Sequence, residues 1–217
     1  MNLVEYNLVK DMTYLEYCDY LQQKYGIGKA NYFSKNWNKS SKISRTKEGL
    51  LTHHKMEDRM ILLSNKSFAQ MAPYEYQLKE NLVYCNYLEH LFLHILICEY
   101  PYPEIQGITV GIGGAVDFLI PELNDFYSGW KTKQSWRQSC HSLIKDDINV
   151  YYILLERFIK NTLIPGGYPI SIIQKSFNEP YDLWKNNKNK KIYKKINKIY
   201  NNNSSHISLL KKLKNIL

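Results

Sequence analysis

The sequence lacks the cysteine pairs that supply the ligands of most structural zinc sites. Its four cysteines, Cys18, Cys85, Cys98 and Cys140, are widely spaced, and no two of them form a CxxC pair. Zinc sites of the finger type draw their ligands from such closely spaced pairs. The spacing therefore argues against a four-cysteine zinc site, so a metal site in this chain has to use other side chains.

The chain also lacks a long apolar run. The longest one, around Leu91–Cys98, is too short to cross a bilayer. The first residues, MNLVEYNLVKDM, lack the charged segment and the apolar stretch of a secretory signal. We therefore expect a cytoplasmic protein with no membrane partner. Its 217 residues, 44% of them hydrophobic, suit one ordinary domain with appended segments.

Acidic residues are missing from the C-terminal segment of the sequence. Residues 185–217 hold ten of the 29 lysines and arginines and none of the 20 acidic residues, in a chain of net charge +9. This pattern is typical of a segment that binds a polyanion, and also of a merely solvated tail. Under the first interpretation, Lys190, Lys191, Lys194 and Lys195 contact a phosphate backbone without reading its sequence.

The order of polar and apolar residues predicts several helices and two short strands. A capping box of Thr13 and Glu16, followed by Gly26, predicts a helix over residues 13–25. The other predicted elements are a loop over 34–48, a strand from 49 that ends in a histidine pair, a connection with a short helix over 64–80, a strand over 82–84, a helix over 86–98, an amphipathic helix over 136–163, and helical spacing of isoleucine and leucine in 182–217.

Four of the six histidines lie within 42 consecutive residues, as the pair His53 and His54 and the pair His90 and His94. Residues four apart on a helix share one face, so the imidazoles of His90 and His94 can reach the same metal ion. Adjacent residues on a strand point to opposite faces, so His53 and His54 do not both reach that ion. One of them can complete the metal site while the other faces a substrate.

The order HH, then Asn81, then HxxxH resembles the core of the HNH, or His-Me finger, nucleases, and the colicin-type nuclease domains in particular. The resemblance implies two strands packed against one helix, with His53, His90 and His94 as ligands of one divalent ion, either Mg²⁺, Mn²⁺, Ni²⁺ or Zn²⁺. It also implies that His54 is the general base, and that Asn81 orients the base or ties the two strands together.

Two further motifs exclude a zinc peptidase and a phosphate-binding loop. The HLFLH segment of residues 90–94 lacks the glutamate of an HExxH peptidase, and the glycine-rich VGIGGAVDF of residues 110–118 lacks the lysine and hydroxyl of a phosphate loop. We expect the glycine-rich segment to form a tight turn or a packed surface helix. Glu57, Asp58 and Arg59 follow the histidine pair, and a carboxylate there is either a partner that orients an imidazole or part of an exposed strand end. Arg45 and Lys47 either clamp a phosphate or lie in a solvated loop.

Together these observations predict an α+β fold with a small ββα-metal finger embedded in a mostly helical chain. The predicted segments are a helical segment with a basic loop over 1–45, the finger over 46–98, a helical region over 99–184 and a basic tail over 185–217. The expected function is a metal-dependent endonuclease acting on DNA, in restriction, anti-phage defence or a phage. The alternatives are a non-catalytic nucleic-acid-binding protein with a structural metal, and an RNA-cleaving toxin. A homodimer or a partner protein remains open.

Overall fold

The computed structural model describes residues 1–102, 110–174 and 187–214, and this part of the chain is mostly helical with one small two-stranded sheet. The α+β class is therefore confirmed. The boundary predicted between residues 184 and 185 lies outside the described residues. The helices are α1 (Leu3–Val9), α2 (Tyr14–Tyr25), α3 (Lys66–Ala69), α4 (Tyr87–Glu99), α5 (Ile120–Tyr127), α6 (Ser135–Ser142), α7 (Ile148–Phe158), α8 (Ser171–Gln174) and α9 (Asn187–Lys214).

The beginnings of α2 and α4 are fixed by the same local device, a capping box. At α2 the Thr13 side chain accepts from the Glu16 amide, and the Glu16 carboxylate accepts from the Thr13 amide at 2.8 Å. Gly26 then ends the helix with a φ of 81°, a conformation that favours glycine, which confirms the predicted helix. At α4, Asn86 and Glu89 form the equivalent pair of bonds.

The two predicted strands pair as an antiparallel hairpin. Strand β1 (Leu51–His54) lies beside β2 (Leu82–Cys85), with His53 opposite Val83 and His54 opposite Leu82. Directly opposite residues share a face of the sheet, and successive residues alternate between faces. The two histidines of β1 therefore point to opposite faces, as the sequence predicted.

Each face of the hairpin packs against a different apolar cluster. Val83 belongs to the main core, which runs from α1 and α2 through α4 to α7 and α9. Residues from all four predicted segments enter this core. Leu82 belongs to a smaller cluster. That cluster, which we call the second core, consists of Tyr32, Phe33, Ile43, Ala69 and Leu82.

The apolar body of α4 is wholly buried in the main core, which provides the packing expected of a finger without structural zinc. Each of its large side chains contributes roughly 1.5–3 kcal/mol when fully buried. These side chains are Leu88, Leu91, Phe92, Ile95 and Leu96.

The single helix predicted over residues 136–163 is wrong, because α6 ends at Ser142 and α7 begins only at Ile148. Ile144 lies in the break, where its side chain is buried and its carbonyl accepts a hydrogen bond of 2.8 Å from the Tyr127 hydroxyl. A continuous helix would use that carbonyl for its own backbone ladder. Here the carbonyl accepts from the Tyr127 hydroxyl and also from the Asp147 amide at 3.1 Å, a turn bond between residues three apart.

The basic segment forms α9, whose isoleucines Ile192, Ile196 and Ile199 are buried against the main core. The predicted helical spacing of isoleucine in this segment is therefore confirmed over its described part. Lysines of the same helix face outward. Among the helices of the described residues, none has the length and apolar character that crossing a membrane requires.

Candidate metal centre

Three histidines converge at the junction of β1 and α4. His53 comes from the strand, and His90 and His94 project from one face of the helix. His53 Nδ1 lies 3.1 Å from His90 Nε2, and the three ring centroids are 5.0–5.3 Å apart. One nitrogen from each ring lies within 4.8 Å of the other two. Ligands of a tetrahedral zinc ion lie about 3.3–3.4 Å apart, so this group could hold one metal ion.

The Tyr14 hydroxyl contacts Nε2 of His53, and Nδ1 of the same ring faces the other two histidines. Burial raises the pKa of Tyr14 well above its usual value, so its hydroxyl keeps its proton. The hydroxyl donates to the Lys55 carbonyl at 3.0 Å and lies 2.8 Å from His53 Nε2. In the tautomer in which the hydroxyl proton goes to the carbonyl, the hydroxyl accepts from Nε2–H. His53 Nδ1 is then left with a lone pair directed at His90 and His94.

The three imidazoles are held in the neutral form that binds metals. Burial lowers the pKa of His53 to about 3, and it lowers the pKa values of His90 and His94 as well. Nearby histidines lower the pKa of His53 and His90 further, whereas Glu57 opposes the effect at all three sites. Neutral imidazole is the form that offers a lone pair to a metal.

Glu57, for which the sequence left two interpretations open, lies against the histidines. A short helical turn over Lys55–Asp58 follows β1 and brings the Glu57 carboxylate back over the strand end. Its Oε2 atom is 3.5 Å from His53 Nδ1 and 3.7 Å from His94 Nε2, and its Oε1 atom is 3.7 Å from His54 Nδ1. Only 17% of the side chain is exposed. The carboxylate therefore reaches both histidines of β1.

His54 is fully buried on the opposite face of the hairpin, beside the second core. Its ring lies 4.5 Å from the Tyr32 ring, and its Nε2 atom is 3.3 Å from Gln77 Oε1. The Gln77 amide nitrogen donates to the Leu63 carbonyl, so its oxygen accepts from His54 Nε2–H. This arrangement leaves the lone pair of His54 on Nδ1, the nitrogen that faces Glu57.

The amide that contacts His54 thus belongs to Gln77, whereas Asn81 lies elsewhere. The Asn81 side chain donates to the Glu75 carbonyl at 2.7 Å and joins the start of β2 to the preceding turn. Asn81 stabilises the connection between the strands, and its own hydrogen bond does not involve the histidines.

The two basic residues before β1 occupy different environments. The Arg45 guanidinium binds the Glu48 carboxylate and the Tyr25 carbonyl, and it lies 4.7 Å from the centre of the Tyr84 ring. Lys47 is exposed. Arg45 is therefore engaged within the protein, and Lys47 has the exposed side chain that contact with a phosphate requires.

The predicted phosphate-contacting lysines lie on the outer side of α9. Lys190, Lys191, Lys194 and Lys195 are all exposed. The Lys195 ammonium also lies 5.5 Å from the centre of the Tyr152 ring. The four lysines form a positive surface on a helix that is anchored to the core by its isoleucines.

The glycine-rich stretch forms one wall of the histidine group. Its Gly114 begins a π-helical turn, Gly114–Leu119, that packs on α4. A Cβ atom at position 114 would lie 2.1 Å from His94 Cε1, far closer than real Cβ contacts. Glycine is therefore required here because the His94 ring occupies the space that a side chain would need. The expected packed helix is confirmed, and its contact with His94 is new.

Several residues around the site were not foreseen from the sequence. Tyr14 followed a predicted helix cap, but nothing in that local pattern connects it with a histidine 39 positions later. The glycine cluster was the one visible signal for Gly114. Gln77 lies in the segment 64–80, which the sequence identifies only as a connection, and Tyr32 lies between the predicted helix and loop, where no element was predicted. Comparisons with protein families, curated proteins and solved structures found no match to this chain.

Proposed function

We propose that this protein is a metal-dependent phosphodiesterase that cleaves nucleic acid, with DNA as the favoured substrate. The observation that carries the proposal is the convergence of His53, His90 and His94 in a strand, strand and helix unit. His54 lies next to this group on the other face of the same strand. This is the arrangement that the resemblance to His-Me finger nucleases implies.

The residues divide the chemistry between them. A divalent ion held by His53, His90 and His94 would stabilise the charge that develops on a scissile phosphate. His54 is proposed to take a proton from the attacking water through Nδ1, because its Nε2–H is engaged by Gln77. Since His54 is fully buried, this role requires the segment that carries Tyr32 to move aside when substrate binds.

The substrate class follows from charge. The exposed lysines of α9 and Lys47 offer positive groups to a phosphate backbone, and none of them sits in a pattern that reads bases. Binding is therefore expected to be independent of sequence and to weaken with salt. The logarithm of the binding constant should fall with the logarithm of salt by ~0.9 for each phosphate contact on duplex DNA.

Plasmid cleavage tests the proposal directly. The protein is first treated with EDTA, and then Mg²⁺, Mn²⁺, Ni²⁺ or Zn²⁺ is restored singly. We expect no nicking with EDTA and recovery with at least one ion. Labelled single-stranded and duplex DNA, with RNA of the same sequence, then define the substrate. Cleavage that persists in EDTA, or no cleavage of any of these with any ion, would refute the proposal.

One observation favours a second function, a non-catalytic nucleic-acid-binding protein whose histidines hold a structural metal. His54 is sealed between Tyr32 and Gln77, and a residue that only stabilises the fold would need no access to substrate. Under this alternative the protein binds nucleic acid and never cleaves it. Its binding should then depend on metal only through the stability of the fold.

A further inference from the structure

The Glu57 carboxylate lies about as far from two of the three histidines as two ligands of one metal ion lie from each other. Its Oε2 atom lies 3.5 Å from His53 Nδ1 and 3.7 Å from His94 Nε2, and His53 Nδ1 lies 3.1 Å from His90 Nε2. These separations bracket the about 3.3–3.4 Å between ligand atoms of a tetrahedral zinc ion. They are too long for strong hydrogen bonds between the carboxylate and the imidazoles. The ligand atoms that all lie within 4.8 Å of one another are those of the three histidines, so the carboxylate approaches the centre on the side of His53 and His94.

Charge also distinguishes Glu57 from an ordinary surface acid. The carboxylate is mostly buried, and the described basic groups within 4 Å of it are the imidazoles of His53, His54 and His94. The neighbouring carboxylates have other cations, since Asp58 lies 3.8 Å from Arg59 and Asp19 lies 2.7 Å from Lys55. A buried carboxylate beside neutral imidazoles is stabilised when a cation binds between them.

We propose that Glu57 is the fourth protein ligand of this metal centre, so that the ion is bound by three imidazole nitrogens and one carboxylate oxygen. The proposal rests on the metal centre of the proposed function but not on cleavage. The resemblance implied three histidine ligands, and Glu57 adds to that set. Its second oxygen lies 3.7 Å from Nδ1 of His54, the proposed base.

A donor set of this kind has consequences for the metal. One carboxylate and three imidazoles suit Zn²⁺ and the other late divalent ions better than Mg²⁺, which prefers oxygen ligands throughout. The ion should also remain bound without nucleic acid, because the protein alone fills four positions. A substrate oxygen would then have to enter as a fifth ligand or displace Glu57.

The test compares Glu57→Gln and Glu57→His with Asp58→Asn in the full-length protein. The control Asp58→Asn removes the same charge one residue away. Zn²⁺ affinity is measured by competition with a chromophoric chelator, and the Co²⁺-loaded protein is examined by visible absorption and X-ray absorption. We expect Glu57→Gln to lower Zn²⁺ affinity by at least about tenfold and to change the Co²⁺ spectrum, with Asp58→Asn close to the parent.

Glu57→His keeps a ligand at the position, so it should retain Zn²⁺ while its Co²⁺ spectrum indicates an added nitrogen. This variant supports the proposal even if Glu57→Gln fails to fold. Parental Zn²⁺ affinity and an unchanged Co²⁺ spectrum in both Glu57 variants would overturn it, as would a parent protein that binds neither ion. Weakened binding in Glu57→Gln with no nuclease activity in the parent would support the ligand and refute the proposed function instead.

Discussion

On one face of the hairpin, His53 meets two further histidines and a carboxylate, whereas on the other face His54 meets an aromatic ring and an amide. Both side chains are almost completely buried, at 1% and 0% exposure. Burial alone therefore does not distinguish the proposed metal ligand from the proposed base. The difference lies in the polar neighbours. Those of His53 are nitrogens and oxygens with lone pairs that can bind a metal, whereas the Gln77 amide beside His54 holds that ring in one orientation.

The two faces also differ in what holds each ring in place. Tyr14 binds Nε2 of His53, and Gln77 binds Nε2 of His54, so each histidine presents Nδ1. The Nδ1 atom of His53 faces other nitrogens at close range, whereas the Nδ1 atom of His54 has no hydrogen-bond partner among the described residues. The same orientation thus gives a candidate metal ligand in one case and a lone pair without a partner in the other.

The largest expected effect comes from breaking the first face. His90→Ala and His94→Ala should each lose the metal, because either change removes one of three convergent nitrogens. The stability that the metal provides would be lost as well, about 2.7 kcal/mol when the metal is present at one hundred times its dissociation constant. Elemental analysis and calorimetric titration measure the metal, and thermal unfolding measures the stability.

His141→Ala is the matched control for those two variants. His141 is a buried helical histidine that pairs with Glu122 at 2.8 Å, and it does not belong to the convergent group. The His141→Ala variant should keep its metal even if its folded state is less stable. Parental metal content in both His90→Ala and His94→Ala would show that the metal centre lies elsewhere.

Breaking the second face should affect cleavage and leave the metal in place. His54→Ala is expected to lower the cleavage rate by about 10²–10⁴, the usual range for loss of a general base. Metal content and DNA affinity should stay near those of the parent, since His54 points away from the ligands. Single-turnover cleavage measures the rate, and metal analysis of the same preparation measures the metal content. Parental turnover would contradict the role of His54 as the general base.

A smaller effect is expected from Gly114→Ala, which introduces a steric clash with His94 beside the first face only. The new Cβ atom would lie 2.1 Å from His94 Cε1, so the ring must move. Overpacking of this kind typically costs about 1–3 kcal/mol, and the displaced ring should also weaken metal binding. Thermal unfolding and metal titration report the two effects.

The neighbouring glycine provides the control for this substitution. At Gly113 the nearest atom to a new Cβ is Asp117 Oδ2 at 3.7 Å, an ordinary contact. Gly113→Ala should therefore unfold and bind metal like the parent. Equal behaviour of the two alanine variants would mean that the packing against His94 has no influence on the site.

The smallest expected effect is on metal affinity, and it should differ between variants of the two tyrosines that contact His53 and His54. Tyr14→Phe removes the hydroxyl that orients His53, and loss of such a partner typically lowers metal affinity by about 10–100-fold. Tyr32→Phe keeps the ring that packs on His54, so metal affinity should hardly change. Chelator competition compares the variants. A Tyr14→Phe protein with parental affinity would show that packing alone orients His53.

Local periodicity accounts for the parts of the site that the sequence predicted. The four-residue spacing of His90 and His94 and the adjacency of His53 and His54 determine faces as soon as the helix and the strand form. The capping box at residues 13–16 predicted the beginning of α2 for a similar reason. These patterns can be recognised from the sequence because they involve only residues that are close together in the chain.

The parts that the sequence did not predict depend on contacts between distant residues. The hydroxyl of Tyr14 reaches His53 only after α2 packs on the hairpin, and Gly114 meets His94 only after its own turn packs on α4. The break at Ile144 likewise depends on Tyr127 from another helix. Distances of this kind are set by the packed core as a whole, and no spacing along the chain encodes them.

The junction between β2 and α4 gives the site an angular constraint. The strand ends at Cys85, Asn86 caps the helix, and the first helical residue follows at once. Each residue added or removed at this junction would rotate the helix by about 100° and slide it by about 1.5 Å. His90 and His94 would then turn away from His53 together. Their meeting therefore depends on the length of this junction as much as on the residues that it joins.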